Sequence, residues 1–144
     1  MATPPVRSIR VAQLAAIPML STLTQSQLEK IADAGDERIF HVGETILRQG
    51  EKGLGLYLML SGTADVRRSG QKVASLSAGQ FFGESALLVD EPRTADVFCI
   101  TEVSCFVLNR WDFWGAVGID PQVDQTLYNE TVARLKSFQS QLIE

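Results

Sequence analysis

From position 36 to about position 109, apolar and polar residues alternate with a period of two, the spacing of strands with one buried face. "ERIFHVGETILRQGE" reads as two short strands joined at Val42-Gly43-Glu44. "GLYLMLSGTADVRRSGQKVASLSAGQFF" continues the pattern, and glycines at 50, 53, 55, 62, 70 and 79 break the region at regular intervals. Gly62 and Gly70 suit hairpin turns, and "TADVFCITEVSCFVLN" supplies two last strands around Thr101-Glu102. Roughly eight short strands with a turn about every 8–10 residues predict a sandwich or a closed barrel.

On both flanks the period becomes helical. Residues 11–20 are weakly helical and stop around Pro18. In "LTQSQLEKIADAG", Thr24 as N-cap and Gln27 three residues on form a capping box. Leu28, Ile31 and Ala32 follow at helical spacing, and Gly35 ends the helix. After the strands, Asn109 is placed to cap "RWDFWGAV", with Asp112 in its first turn and Trp111, Phe113 and Trp114 as packing residues. Asp120 as N-cap and Pro121 as first helical residue predict a final helix reaching Leu142. Its Tyr128, Thr131, Leu135, Phe138 and Leu142 form one stripe, a seam against the β region or a second copy of the chain. Residues 1–10, with Pro4 and Pro5 and little pattern, are expected to be a flexible arm.

The chain of 144 residues is long enough for one domain with a real core, and its 45% apolar content is that of a globular protein. A net charge of −4 leaves no footprint for nucleic acid, although a local site for a small anion is compatible with it. "MATPPVRSIR" lacks the apolar core of a signal peptide, and the longest apolar run, "LGLYLML", is strand-sized. A cytoplasmic chain without direct membrane contact is expected, either on its own or as the cytosolic portion of a membrane protein. Cys99 and Cys105 lie in apolar strand segments and are expected to be buried, reduced thiols. The single histidine, His41, sits at a strand end and cannot build a zinc site alone. No Gly-x-Ser-x-Gly, Walker loop or His-Glu-x-x-His is present, so no enzyme, metal or cofactor is expected.

The chemistry concentrates in "FFGESALLVDEPRTADV", residues 81–97. Gly83 permits a tight backbone turn and a close approach by a ligand. The apolar run after Glu84 is long enough for one or two helical turns, whose first N–H groups, those of Ser85 and Ala86, have no internal partner and can bind an anion. Glu84 is an acceptor and suits hydroxyl groups, whereas Arg93 carries five donors in a fork that matches phosphate oxygens. Thr94 adds a hydroxyl and a backbone N–H. Donors for an anion beside an acceptor for a hydroxyl are the complement of a sugar phosphate. The competing reading is an ordinary turn, in which Arg93 pairs with Glu84, Asp90 or Glu91.

"FGESALLVDEPRTADV" resembles the phosphate-binding cassette of the cyclic nucleotide-binding domain family, with its Phe-Gly-Glu start at Phe82, Gly83 and Glu84, its apolar helical turn, and Arg-Thr before the next strand. "PMLSTLTQSQLEKIA", "GETILRQGE", "GLYLMLSGTADV" and "TEVSCFVLNRWDF" are similar to other parts of that family, so the resemblance runs from about Leu14 to Leu142. It implies a mainly β fold with flanking helices. An eight-stranded antiparallel β-roll or jelly-roll barrel over 37–109 would follow N-terminal helices over 11–36 and precede two C-terminal lid helices over 110–144, all in one domain.

It also implies roles. Glu84, helped by the Gly83 backbone, would bind the ribose 2′-hydroxyl; Arg93 and the N–H groups of Ala86 and Thr94 would bind the cyclic phosphate. Val66, Ala74 and Leu76 match positions that contact the purine, with core packing as the alternative. Ser85 stands where an apolar residue is frequent, facing away from the phosphate. Leu54 and Gly55 stand where polar or acidic residues are usual, which is expected to alter the turn but not the pocket. In relatives, threonine at the position of Thr94 often accompanies cGMP, because its hydroxyl can reach the guanine 2-amino group, yet some relatives with it prefer cAMP; both nucleotides are candidate ligands, with cAMP favoured. Arg134 on the last helix is a candidate to stack on the base, with a solvated helix charge as its alternative. The implied function is a non-enzymatic sensor that passes a helix rearrangement to an attached or associated effector, with a homodimer or an attached channel or effector domain as candidate partners. The alternative is a degenerate domain kept for oligomerisation.

Overall fold

The computed structural model describes residues 6–138, which divide into two compact units, Asp36–Arg110 and the helical segments on either side of it. In the helical unit α1 spans Val6–Ala15, a 3₁₀ turn spans Pro18–Leu20, and α2 spans Gln25–Ala34. The arm expected over 1–10 is therefore helical from Val6 onward, and residues 1–5 lie outside the described residues. The reason is packing: Arg10, Val11 and Leu14 bury one stripe of α1, and Arg7 reaches Asp33 of α2 at 2.7 Å. The capping box at the start of α2 is present in both directions, Thr24 accepting from the Gln27 N–H at 3.1 Å and Gln27 accepting from the Thr24 N–H at 2.9 Å.

The last two helices are α3 (Arg110–Val117) and α4 (Gln125–Lys136). Of the expected packing residues of α3, Phe113 and Trp114 are buried but Trp111 is 66% exposed. The helix start expected at Asp120 makes only a turn, in which Asp120 accepts from the Gln122 N–H at 2.9 Å. The N-cap of α4 is Asp124, which accepts from the Leu127 N–H at 2.9 Å. Of the expected stripe, Thr131 and Leu135 are buried and Tyr128 packs on Trp114 with ring centroids 4.7 Å apart. Phe138 lies beyond the end of α4, 42% exposed, and Leu142 is outside the described residues.

The β unit holds eight strands, β1 (Asp36–Phe40), β2 (Thr45–Leu47), β3 (Gly55–Ser61), β4 (Thr63–Arg68), β5 (Gln71–Ser77), β6 (Phe81–Phe82), β7 (Asp96–Cys99) and β8 (Val103–Asn109). They form two antiparallel four-stranded sheets, ordered β1-β8-β3-β6 and β2-β7-β4-β5. The roll is as expected, but the barrel is not closed. The edge strands β2 and β6 have three and two residues, too short to carry a second ladder across to the facing sheet. Alternate side chains enter a core that includes Met59, Val66, Phe82, Val97, Cys99 and Cys105. Tyr57 stacks on Phe82 at 5.0 Å with the rings almost parallel, which fixes the short β6 strand against β3.

Both cysteines are free and buried. Burial pushes both thiols up, and for Cys105, where the neighbouring Cys99 adds to the effect, to about 12. Neither thiol is therefore expected to react with a disulfide reagent at about pH 8 until the chain is unfolded. Prompt labelling in native buffer contradicts this packing.

Candidate functional site

The site begins where β6 ends. Gly83 takes a left-handed conformation (φ 78°), which lets the chain leave the strand and enter a 3₁₀ helix over Glu84–Leu87. The helix is a single tight turn rather than the longer one the sequence allows. Consequently the Ala86 N–H, expected to be open to an anion, donates to the Gly83 carbonyl at 3.2 Å. Glu84 is fully buried, Ser85 half-buried and Ala86 buried. Phe82, just before the turn, is also fully buried and serves the core through its stack with Tyr57.

After the turn the chain comes back through Asp90 and Pro92. Lys52 holds Asp90 at 3.3 Å and Arg110 holds it at 3.5 Å. The hydrogen-bonded Lys52 ammonium, with Arg110 adding to it, keeps that carboxyl below its ordinary range. Pro92 bridges Lys52, the Arg93 N–H donates to the Glu51 carbonyl at 2.8 Å, and the Gly50 N–H donates to the Arg93 carbonyl at 2.8 Å. The backbone at Arg93 is thus stapled to residues 50–52.

These bonds turn the Arg93 side chain inward, where it is only 4% exposed. Its Nη1 donates to the Gly83 carbonyl at 3.0 Å and its Nη2 to the Gly55 carbonyl at 2.9 Å. Charge-assisted bonds of this kind offset the cost of burying a cation. Glycines make the space. A Cβ at Gly53 would collide with the guanidinium, and one at Gly83 would come 3.0 Å from Nη2 and 2.8 Å from the Gly55 carbonyl.

Sequence reasoning found Gly83 and Arg93 but missed Gly53 and Gly55. It also expected the residues at 54 and 55 to affect only the turn, whereas the Gly55 carbonyl is a direct partner of the guanidinium. The signal was there as a Gly-x-Gly pair at 53 and 55, but nothing local says that it faces residue 93. Among the acids considered as partners of Arg93, Asp90 is taken up by Lys52 and Arg110.

Thr94 is exposed, and its carbonyl accepts from Arg68 Nε at 3.4 Å. Val66 and Leu76 are buried in the core cluster and Ala74 packs against it; Val66 and Ala74 are register partners. Arg134 lies on α4, in the helical unit, with its side chain exposed. Among the described residues no group of His, Cys, Asp and Glu could hold a metal ion, and no helix is long and apolar enough to cross a membrane.

The family model described as cyclic nucleotide-binding domain matches residues 37–118. A cAMP-dependent protein kinase regulatory subunit from Pyricularia oryzae is 37% identical over 116 residues, covering 78% of this chain and 30% of that protein. The chain therefore spans under a third of the length of this relative. The regulatory domain of Toxoplasma gondii PKA, solved with cAMP, superposes with a TM-score of 0.66 at 27% identity, covering 92% of this chain and 50% of the other. A regulatory subunit of a cAMP-independent protein kinase A from Trypanosoma brucei superposes with a TM-score of 0.64 at 30% identity, covering 91% and 50%.

The glycine cradle makes a stability prediction. Gly83→Ala places an L side chain in a left-handed conformation and is expected to cost about 1–2 kcal/mol. Gly53→Ala overfills the space around Arg93 and is expected to cost about 1–3 kcal/mol. Urea denaturation measures both, and midpoints like that of the unaltered chain contradict the cradle.

Proposed function

The chain belongs to the cyclic nucleotide-binding domain family, and on that premise we propose that it is a non-enzymatic sensor that binds a cyclic nucleotide, cAMP or cGMP. The observation that carries this reading is the Arg93 guanidinium, buried and held in a fixed plane by two carbonyls beside the start of the 3₁₀ turn. A guanidinium fixed in this way receives a cyclic phosphate without first losing side-chain freedom. Glu84, one residue beyond Gly83, accepts the ribose 2′-hydroxyl. The Ala86 and Thr94 N–H groups complete the phosphate shell, the former by exchanging its 3.2 Å bond to Gly83 for a phosphate oxygen. Val66, Ala74 and Leu76, which lie on the inner face of the β2-β7-β4-β5 sheet, offer an apolar surface to the purine.

A sensor also needs a ligand that binds one conformation better than another. The proposed moving parts are the cassette and the helices after Asn109, with Arg134 of α4 stacking on the base. The readout is a cytoplasmic effector, attached or associated. The names of the relatives favour a protein kinase; a channel or a second copy of the chain are the other candidates.

A second reading has one specific observation in its favour, the likeness to a regulatory subunit described as cAMP-independent. On that reading the domain has lost its cyclic nucleotide and serves oligomerisation. Calorimetric titration separates the two. The sensor binds cAMP or cGMP, and Arg93→Ala weakens binding by about 1.5–3 kcal/mol, the worth of a hydrogen bond to a charged group, or roughly ten- to a hundred-fold. Undiminished affinity in that variant removes Arg93 from the site. No heat and no thermal shift at millimolar nucleotide sinks the sensor and leaves the second reading.

A further inference from the structure

Two adjacent arginines end β4, and the strand sends them to opposite faces. Asp65 and Arg67 share the outer face: Arg67 Nη2 lies 3.4 Å from Asp65, and the guanidinium sits 4.3 Å over the Phe98 ring. Lys72 of β5 adds to the same carboxylate at 3.5 Å. Arg67 is therefore occupied. Ala64 and Val66 share the inner face and enter the core. By strand alternation Arg68 belongs to that inner face, two residues and about 7 Å beyond Val66 toward the open end of the sheet. Its side chain is exposed, and among the described residues its only polar partner is the Thr94 carbonyl, 3.4 Å from Nε.

The hairpin that carries Arg68 is well held. The register passes from Val66↔Ala74 to Arg67↔Lys72, so Val73 is an extra residue in β5, a bulge that increases the twist and re-aims the hairpin end. Ser69 (φ 52°) and Gly70 (φ 82°) are both left-handed, as a tight two-residue turn requires. The Ser69 N–H donates to Gln49 Oε1 at 2.7 Å, and the Gln49 N–H donates to Asp96 Oδ1 at 2.6 Å. Arg68 is thus presented on a fixed hairpin next to the end of the cassette, at the open side of the face formed by Val66 and Ala74.

We infer that Arg68 is a specificity-determining residue that donates to the O6 and N7 acceptors of a guanine, and so favours cGMP over cAMP; this rests on the nucleotide site proposed above. The chemistry is that of the guanidinium fork. Its two parallel donors match O6 and N7 of guanine, whereas adenine keeps N7 but replaces O6 with an amino donor. The phosphate already has a dedicated cation in Arg93, within the glycine cradle, while Arg68 stands on the strand that faces the purine.

The test is calorimetric titration of the full chain and of Arg68→Ala and Arg68→Lys with cAMP, cGMP and cyclic inosine monophosphate. The inosine nucleotide keeps O6 and N7 but lacks the 2-amino group that Thr94 is a candidate to read. Arg68→Ala is expected to lose roughly ten-fold in affinity for cGMP and for the inosine nucleotide, and less than about three-fold for cAMP. Lysine, a point charge, is expected to restore only part of the loss. Equal losses for all three nucleotides would make Arg68 a phosphate contact and overturn the inference. So would an unchanged profile, or a loss confined to cGMP, which would point to the 2-amino group instead. Failure of the unaltered chain to bind any of the three overturns the proposed function itself, a result distinct from these.

Discussion

A buried cation holds the candidate site together. Arg93 lies inside the β unit, and its guanidinium bridges two carbonyls that belong to different parts of the chain, Gly55 at the start of β3 and Gly83 at the end of β6. Removing a charge from water is costly unless its donors are met. This one requirement accounts for much of the local sequence. Gly53 and Gly83 leave room for the group, Gly83 also supplies the left-handed turn, and the staple between Arg93 and residues 50–52 sets the direction from which the side chain enters. Asp90, nearby in sequence, is kept from competing, since Lys52 and Arg110 hold it at the surface.

The arrangement separates rigid from adjustable parts. The Tyr57–Phe82 stack and the two sheets fix the floor under the turn. The 3₁₀ helix above it is a single turn, and its Ala86–Gly83 bond, at 3.2 Å, is near the long end of the range. A short helix of this kind can exchange an internal bond for one to a ligand at small cost. The Arg68 hairpin belongs with the rigid part, because Gln49 clamps both Ser69 and Asp96.

What could be read in the sequence followed from locality. The two-residue period announced roughly eight short strands, and the Thr24–Gln27 capping box was visible because both partners lie three residues apart. The cassette was legible because Gly83, Glu84, Arg93 and Thr94 sit within one short stretch. The misses were of two kinds. Where two local signals competed, as at Asp120 and Asp124, the helix took the later cap because Asp120 closes a turn of its own. Where the partner is distant in sequence, as for Gly53 and Gly55 against Arg93 or Arg68 against Thr94, no spacing rule applies, because strand pairing alone brings the groups together. The same is true of α1, which is held by the burial of Arg10, Val11 and Leu14 and by the Arg7–Asp33 pair, partners that no local spacing reveals.

The central claim is that Arg93 is built to receive a cyclic phosphate. A crystal structure of the chain grown with cAMP addresses it most directly. Both terminal nitrogens of Arg93, or one of them and Nε, are expected within hydrogen-bond distance of the phosphate oxygens, with the Glu84 carboxylate on the ribose 2′-hydroxyl. A nucleotide bound elsewhere, with Arg93 out of reach of its phosphate, would contradict the claim.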